Sequence, residues 1–360
     1  MKIYFDVRML NHPGIGRYIK SVVPLLKKKP GLQLVLLGDR EAIHGALGIE
    51  EDVIDFTYPI YSMQEQLGFR KIKKTIGEDI LHVPHYNIPA IEKFNLVVTI
   101  HDLIYIFYPK GASKRLASTY MKVMVGRAVE RAGKIICVSH ATREAIKKFY
   151  NVDLLKVEVI HEGASEHFSQ INDKPYLESI RRKYHLPEKF ILYVGSIRRH
   201  KNVNTLLSAF AQLKKRVPDA HLVVIGKFTH YLDFNKESVR YLGEIPDDRE
   251  LVAIYNLASV FCNLSLYEGF SLTVLEAQKC RLPVVCSNIA PHLEIGGDSV
   301  VAVPPTHIDQ IVEALYNVLT QEALRNTLIA KGNANLARFS WPQAANQTMQ
   351  VYESIGELKR

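Results

Sequence analysis

Short apolar runs of strand length alternate with amphipathic helical stretches along almost the whole chain. The series begins with IYFDV (3–7), the helix-like GRYIKSVVPLLKK (16–28) and QLVLLG (33–38), and continues through DILHV (79–83), LVVTI (96–100), KIICV (134–138) and VEVI (157–160). Strands apolar on both faces and separated by helical segments predict a parallel sheet with crossover helices. The polar stretch SEHFSQINDKPYLES (165–179) has no strand-length apolar run and marks a domain boundary. The alternation restarts with FILYVGS (190–196), NVNTLLSAFAQLKKR (202–216), HLVVIG (221–226), VRYLG (239–243) and DRELVAIYNLA (248–258). VFCNL (260–264), LPVVCS (282–287) and SVVAV (299–303) complete it, and the pattern is helical from there to the end. The prediction is an α/β protein with two doubly wound domains.

Length agrees with that division, because 360 residues exceed one comfortable core. A hydrophobic content of 47% with 23% charged residues excludes disordered and fibrous classes. The opening MKIYFDVRML lacks a signal peptide's apolar core, and no apolar run approaches the roughly 18 residues of a membrane span. A cytoplasmic protein is expected. Cys137, Cys262, Cys280 and Cys286 form no CxxC pair and read as reduced, buried thiols. The net charge of +9, with basic stretches at Lys27–Lys29, Arg70–Lys74 and Lys110–Arg115, suits an anionic partner or solvated faces. Nucleic acid is the poorer choice of partner, because these residues lie in scattered helical segments and not on one face.

In doubly wound domains the chemistry sits in the loops that follow strands. NHPGIGRY (11–18) places Gly14 and Gly16 before a helix, either as a tight turn or as a phosphate cradle; the third glycine of a dinucleotide fingerprint is Ile19. VVTIHDL ends a strand with His101 and Asp102, and that histidine is either a donor or proton carrier or a hydrogen-bonded strand end. His82 and His85 have no further ligand at a spacing that suits a metal. YVGSIRRHKN (193–202) sets Arg198, Arg199 and Lys201 before a helix, either as a diphosphate site or as a solvated loop. LYEGFSLTVLEA (266–277) puts Glu268 in a loop, a turn at Gly269, a helix start near Ser271 and Glu276 within its first two turns. The helix amides between the carboxylates can meet a phosphate; complementing the helix dipole would account for Glu276 alone. GxxxxGK[ST], DxD and GxSxG are absent, which disfavours P-loop kinases, metal-clamped sugar nucleotides and serine hydrolases.

The ordered set DVRML with GIGRY, LHVPHYNIP, VVTIHDL, KIICVSHATREAI, VEVIHEGA, LYVGSIRRHKN, the EGF-to-LEA segment, PVVCSN and FSWPQAA resembles the retaining glycosyltransferases of family 4. The glutamate pair E-x7-E is its most specific part, and the resemblance covers nearly the whole chain. It implies a GT-B fold, with two Rossmann-like domains facing across a cleft. The domain at 1–168 would bind the acceptor, the domain at 185–340 the donor, and the last helix, 341–360, would cross back to the first domain. It also implies roles. Glu268 matches the glutamate close to the donor sugar, and Gly269, Phe270, Ser271, Leu272 and Thr273 the segment whose amides meet sugar hydroxyls and phosphate. Glu276 matches the glutamate on the ribose hydroxyls, Lys201 the lysine on the diphosphate, Gly16, next to Gly14, the loop glycine beside the donor phosphate, and His101 the histidine near the sugar's C6 hydroxyl. The sequence departs from the family pattern in the donor region. Ser196 and His200 stand where arginines are common, so Arg198 or Arg199 would supply the second cation; GFGLP has become Gly269 to Thr273 of this chain, and Arg281 replaces a glycine.

The implied reaction is retaining transfer of a hexose from a nucleotide diphosphate sugar, GDP-mannose being favoured, to a glycan or lipid-linked acceptor. It uses His101, Glu268 and Lys201 and no metal or cofactor beyond the sugar nucleotide itself. Peripheral contact with an anionic membrane at its cytoplasmic, inner face is a further expectation. The alternatives are a UDP- or ADP-sugar donor with a small soluble acceptor and, in a different class, a basic nucleic-acid-binding protein.

Overall fold

The computed structural model describes residues 1–108, 111–227 and 237–357, so Lys110 of the third basic stretch, like the side chains of 111–114, lies outside the described residues. The chain forms two compact units, Met1–Gly163 with Ser340–Arg360, and Ala164–Phe339.

In the first unit seven described strands run β1 (Lys2–Asp6), β2 (Gln33–Gly38), β3 (Val53–Asp55), β4 (Ile80–Val83), β5 (Asn95–Ile100), β6 (Lys134–Cys137) and β7 (Val157–Val159). They pair in parallel in the order β3-β2-β1-β4-β5-β6-β7. The strand Val53–Asp55 was not predicted, because three residues are too few to show a periodicity. Both faces of the sheet are covered by helices, so its central strands are buried along nearly their whole length, as their unbroken apolar character requires.

The second unit carries β8 (Phe190–Val194), β9 (His221–Ile225), β10 (Val239–Gly243), β11 (Val260–Asn263), β12 (Val284–Ser287) and β13 (Val301–Val303). These are also parallel, in the order β10-β9-β8-β11-β12-β13. The run at 299–303 is shorter than its apolar length suggests, because Gly297–Ser299 forms a 3-10 turn first. In the polar stretch 165–179 a helix begins at Lys174, capped by the Asp173 carboxylate, which accepts the Tyr176 N–H at 3.0 Å.

Both units are doubly wound. Strand order reverses once in each, between β1 and β4 and between β8 and β11. Loops leaving the carboxyl ends of such a pair diverge and open a crevice, which is where these sheets bind ligands.

The last helix, Trp341–Glu357, belongs to the first unit and packs on the helix Ile15–Lys27. Its Tyr352 hydroxyl lies 2.5 Å from His82 Nδ1, while His82 Nε2 is 2.8 Å from Thr99 Oγ1. His82 is fully buried, and burial holds its imidazole down at about 3, so it anchors this helix as a neutral ring. All four cysteines are free and buried, and the burial raises each thiol above its ordinary range. No described helix is long and apolar enough to cross a membrane.

Candidate active site

Two loops of the second unit meet at its strand reversal. After β8 the chain turns through Gly195 and Ser196 into a short 3-10 helix, Arg199–Lys201, and then the helix Val203–Arg216. Gly226, after the neighbouring β9, is needed here: its φ is 137° and a Cβ would lie 2.0 Å from the Gly195 carbonyl oxygen. After β11 the chain passes through Leu264 to Ser271 before the helix Leu272–Lys279. The Leu266 N–H donates to the His200 carbonyl at 2.6 Å, tying the two loops together.

That tie sets up an ion pair. Lys201 Nζ lies 2.6 and 2.8 Å from the two carboxylate oxygens of Glu268. The side chains are only 21% and 12% exposed, so water screens the pair poorly. Burial alone would push the Glu268 carboxyl up. The adjacent Lys201 charge, with hydrogen bonds from Lys201 and Ser265, outweighs it and holds the group at about 2. Ser265 Oγ lies 2.7 Å from Glu268 Oε1 and 2.6 Å from Asn263 Oδ1, so its one proton serves two acceptors. Asn263 Nδ2 stands 3.3 to 3.5 Å from Glu268, Ser271 and Thr273, gathering the loop and the helix start around one amide.

His292 completes this floor. The Ser287 hydroxyl donates to the Ser265 carbonyl at 2.6 Å, which leaves His292 Nδ1–H to donate to Ser287, with Oγ at 2.9 Å and O at 3.1 Å. Nε2 is buried without a hydrogen-bond partner among the described residues. Burial pushes the imidazole down to about 4, against the pull of Glu268, so His292 is neutral at physiological pH.

The sign of the resulting pH dependence follows from proton counting. Below an ordinary histidine pKa of about 6.5 the unfolded chain binds a proton at this ring that the folded chain excludes down to about 4, so stability falls with pH across that window. The loss attributable to the ring approaches roughly 3 kcal/mol at the acid end. Urea unfolding at about pH 7 and about pH 4.5 should therefore show a smaller difference in His292→Asn than in the parent. An identical difference in both proteins would remove His292 from the account.

Glu276 sits on the fifth residue of its helix, 2% exposed, and accepts from the Tyr255 hydroxyl at 3.2 Å. Arg198 and Arg199 are exposed on the rim beside the paired Lys201. Ser271 has φ +88°, a left-handed backbone that costs a serine on the order of 1 kcal/mol and a glycine nothing. The substitution of serine for the family's glycine therefore falls on a position where glycine would be unstrained. The Ser271 hydroxyl stands 3.3 Å from the Asn263 amide.

Gly14, Gly16 and His101 lie in the other unit. Gly14 precedes the helix Ile15–Lys27 with φ +84°, and a Cβ on Gly16 would stand 2.2 Å from the Leu10 carbonyl oxygen, so both glycines serve the turn itself. His101 leaves β5 and packs edge-on against Tyr18, with ring centroids 5.0 Å apart. Its Nδ1 is 3.1 Å from Glu162 Oε1. A carboxylate only accepts, so Nδ1 carries a proton toward Glu162, and the buried Nε2 has no hydrogen-bond partner among the described residues. Ser196, Arg198, Arg199, Lys201, Glu268 to Thr273 and Glu276 are thus loop and helix residues of one sheet edge, and Gly14, Gly16 and His101 belong to another. Sequence reasoning missed Asn263, Ser265, Glu162 and His292. The polar Asn263 closing an apolar strand was a usable signal for the first; nothing local marks His292.

Residues 178–334 match the family model for group 1 glycosyl transferases, and residues 14–167 that for glycosyltransferase family 4. The chain is a group 1 glycosyltransferase. This glycosyltransferase is 27% identical to O-antigen chain mannosyltransferase B of Escherichia coli, over 99% of this chain and 100% of that protein. Its fold is GT-B, as in sucrose-phosphate synthase from Thermosynechococcus elongatus, with a TM-score of 0.78 at 20% identity over 99% of this chain and 100% of that one. Anabaena HepE in complex with UDP-glucose superposes with a TM-score of 0.75 at 17% identity, over 98% of this chain and 100% of that chain. The glycosyltransferase is mannosyltransferase-like in its sequence relatives.

Proposed function

We propose that the protein transfers a hexose from a nucleotide diphosphate sugar, GDP-mannose in the first instance, to a glycan or lipid-linked saccharide, with retention of configuration and no metal. The observation that carries this reading is the Lys201–Glu268 pair at the strand reversal of the second unit, the place where such a sheet receives a nucleotide. The relatives' mannosyltransferase names favour mannose, and the HepE complex with UDP-glucose favours a sugar nucleotide as the ligand.

In this reading the departing diphosphate is neutralised by Lys201, by Arg198 or Arg199 on the rim, and by the amides that open the helix at Leu272. A lysine already paired with a carboxylate adds little net charge, so the exposed arginines supply the excess that attracts the phosphates. Glu268 takes the sugar hydroxyls and Glu276 those of the ribose. Two-carboxylate hydrolysis does not fit these assignments, because the glutamates serve different parts of the donor. The acceptor hydroxyl attacks on the face the diphosphate leaves, and a leaving phosphate oxygen takes its proton.

A second reading keeps the fold and uses a UDP-sugar with a small soluble acceptor, favoured by the likeness to sucrose-phosphate synthase. A thermal-shift panel of GDP, UDP, ADP and their sugars separates the two. A ligand at 100 times its Kd adds about 2.7 kcal/mol of apparent stability, so GDP and GDP-mannose should raise Tm by several degrees and the others less. A larger rise with UDP would transfer the reading to that donor, and none with any nucleotide would end both. NMR of the freshly formed linkage tests retention: an inverted anomer excludes it.

Peripheral contact with an anionic bilayer is also proposed. On the helix Met63–Ile76 the exposed Met63 and Leu67 share the solvent side with Arg70, Lys71 and Lys74. Salt-sensitive pelleting with phosphatidylglycerol vesicles is its test.

A further inference from the structure

The first unit has its own strand reversal, between β1 and β4, and the loops there carry a feature that donor chemistry does not use. Four tyrosines surface together from different loops at the carboxyl ends of the strands: Tyr61 after β3, Tyr86 after β4, Tyr105 after β5, and Tyr120 from the helix Gly111–Arg131. Tyr61 is 49% exposed, Tyr120 38% and Tyr105 36%. The ring of Tyr61 lies 5.8 Å from that of Tyr120, edge to face, and 6.2 Å from that of Tyr86, with the hydroxyls of Tyr61 and Tyr86 3.4 Å apart.

Large aromatic rings left in water need a reason, and here the protein spends structure to hold them. Tyr61 sits at φ +68°, a backbone conformation strained for so bulky a residue. Its N–H donates to Glu65 Oε2 at 3.0 Å, the same oxygen that accepts Asn87 Nδ2 at 2.6 Å. Tyr120 donates its hydroxyl to Asn87 Oδ1. Glu65 is in turn held by Arg8 at 2.7 Å, and Arg8 by Asp6 at 2.6 Å. Asp6, Glu65 and Asn87 are at most 1% exposed. A buried chain of charge therefore ends on the backbone of one exposed tyrosine and the hydroxyl of another.

The electrostatics select the occupant. Burial first, then Asp102 and the neighbouring phenols, and at Tyr61 also Glu65, raise the Tyr61 and Tyr86 hydroxyls above their ordinary range, so this surface resists negative charge. The buried Arg8 is spent on two carboxylates, and Arg127 is the cation felt at Tyr120. An anionic headgroup is repelled here. A neutral pyranose suits the surface, because its C–H faces pack on aromatic rings and its hydroxyls bond phenols and a carboxylate. Tyr105 follows His101 by four residues, on the short helix Ile104–Phe107 that comes directly after the end of β5.

We infer that Tyr61, Tyr86, Tyr105 and Tyr120 form a stacking platform for a neutral hexose of the acceptor glycan, with Glu65 and Asn87 as positioning residues beneath it. This rests on the reading of the protein as a glycan-extending transferase. The experiment uses the full chain with GDP-mannose, mannotriose as the acceptor probe, and the variants Tyr61→Gly, Tyr61→Phe, Tyr86→Ala and Tyr105→Ala. Tyr61→Gly removes the ring and relieves the backbone strain together, so its Tm should match or exceed the parent's. Expected are at least a tenfold rise in mannotriose KM for Tyr61→Gly, Tyr86→Ala and Tyr105→Ala, a near-parental KM for Tyr61→Phe, and unchanged GDP-mannose hydrolysis without acceptor. Parental mannotriose KM in Tyr61→Gly, Tyr86→Ala and Tyr105→Ala alike overturns the platform while the transferase reading stands. Loss of vesicle pelleting with an unchanged mannotriose KM overturns it in favour of a lipid contact. No transfer or donor hydrolysis by the parent overturns the transferase reading and the platform with it.

Discussion

Lys201→Ala should lower kcat/KM for sugar transfer by about 100- to 1000-fold, the usual cost of removing one preorganised charge from a developing anion. The physical case has two parts. The ammonium is the cation held against Glu268 at 2.6 Å, and its removal leaves that carboxylate, 12% exposed, to the hydrogen bonds of Ser265 and Asn263. Glu268 then titrates upward from about 2, because the largest influence lowering it is gone and burial remains. Activity in Lys201→Ala should consequently fall further as pH drops toward the ordinary carboxylate range, whereas the parent stays flat there. Lys201→Arg keeps the charge but not the compact ammonium, and should recover part of the rate. Steady-state kinetics with an unchanged circular dichroism spectrum make the measurement. A variant within threefold of the parent would show that the diphosphate is neutralised elsewhere.

The largest effect on stability belongs to Arg8→Ala. Arg8 Nε and Nη2 lie 2.9 and 2.6 Å from the two oxygens of Asp6, and Nη2 is also 2.7 Å from Glu65. Its guanidinium stacks over Phe56 at 4.7 Å and Phe69 at 5.2 Å. The side chains are 4% exposed for Arg8 and 0% for both carboxylates. Burial would raise the Asp6 carboxyl, but Arg8 and His85 overcome it and hold it well below the carboxylate range. Removing the arginine strands two buried negative charges, which costs about 3–5 kcal/mol, a large share of the roughly 5–15 kcal/mol that holds an ordinary domain folded. Denaturant unfolding of Arg8→Ala should show that loss. Arg8→Ala combined with Asp6→Asn and Glu65→Gln should recover much of it, since the stranded charges are then gone. A loss under about 1 kcal/mol would mean that water or another cation reaches the carboxylates. The same network carries the backbone of Tyr61, so Arg8 links the stability of the first unit to the acceptor platform.

Most of the architecture was legible because parallel strands buried on both faces must be apolar throughout, and such runs stand out between amphipathic helices. QLVLLG, read as 33–38, is the strand Gln33–Gly38, and FILYVGS contains Phe190–Val194. Val53–Asp55 escaped because three residues carry no period. The loops that carry the Lys201–Glu268 pair were legible for a different reason. Lys201, Glu268 and Glu276 are close in sequence to turns and helix starts whose chemistry is local. Asn263 and Ser265 are equally close, yet their value lies in what they touch.

By itself the sequence determined two doubly wound domains and the glycine-bearing and charged loops that follow their strands. These follow from periodicity, turn residues and charge, which act over a few residues at a time. Only the tertiary structure decided that Lys201 and Glu268, 67 positions apart, neutralise each other, and that Gly16 is a glycine because Leu10 leaves no room for a Cβ. It alone brought Asp6 and Arg8, Glu65 and Asn87 from three segments into one buried network beneath exposed tyrosines. The reason is that a carboxylate's partner is set by distance in space and by the water excluded around it, and neither is written in the spacing of the chain.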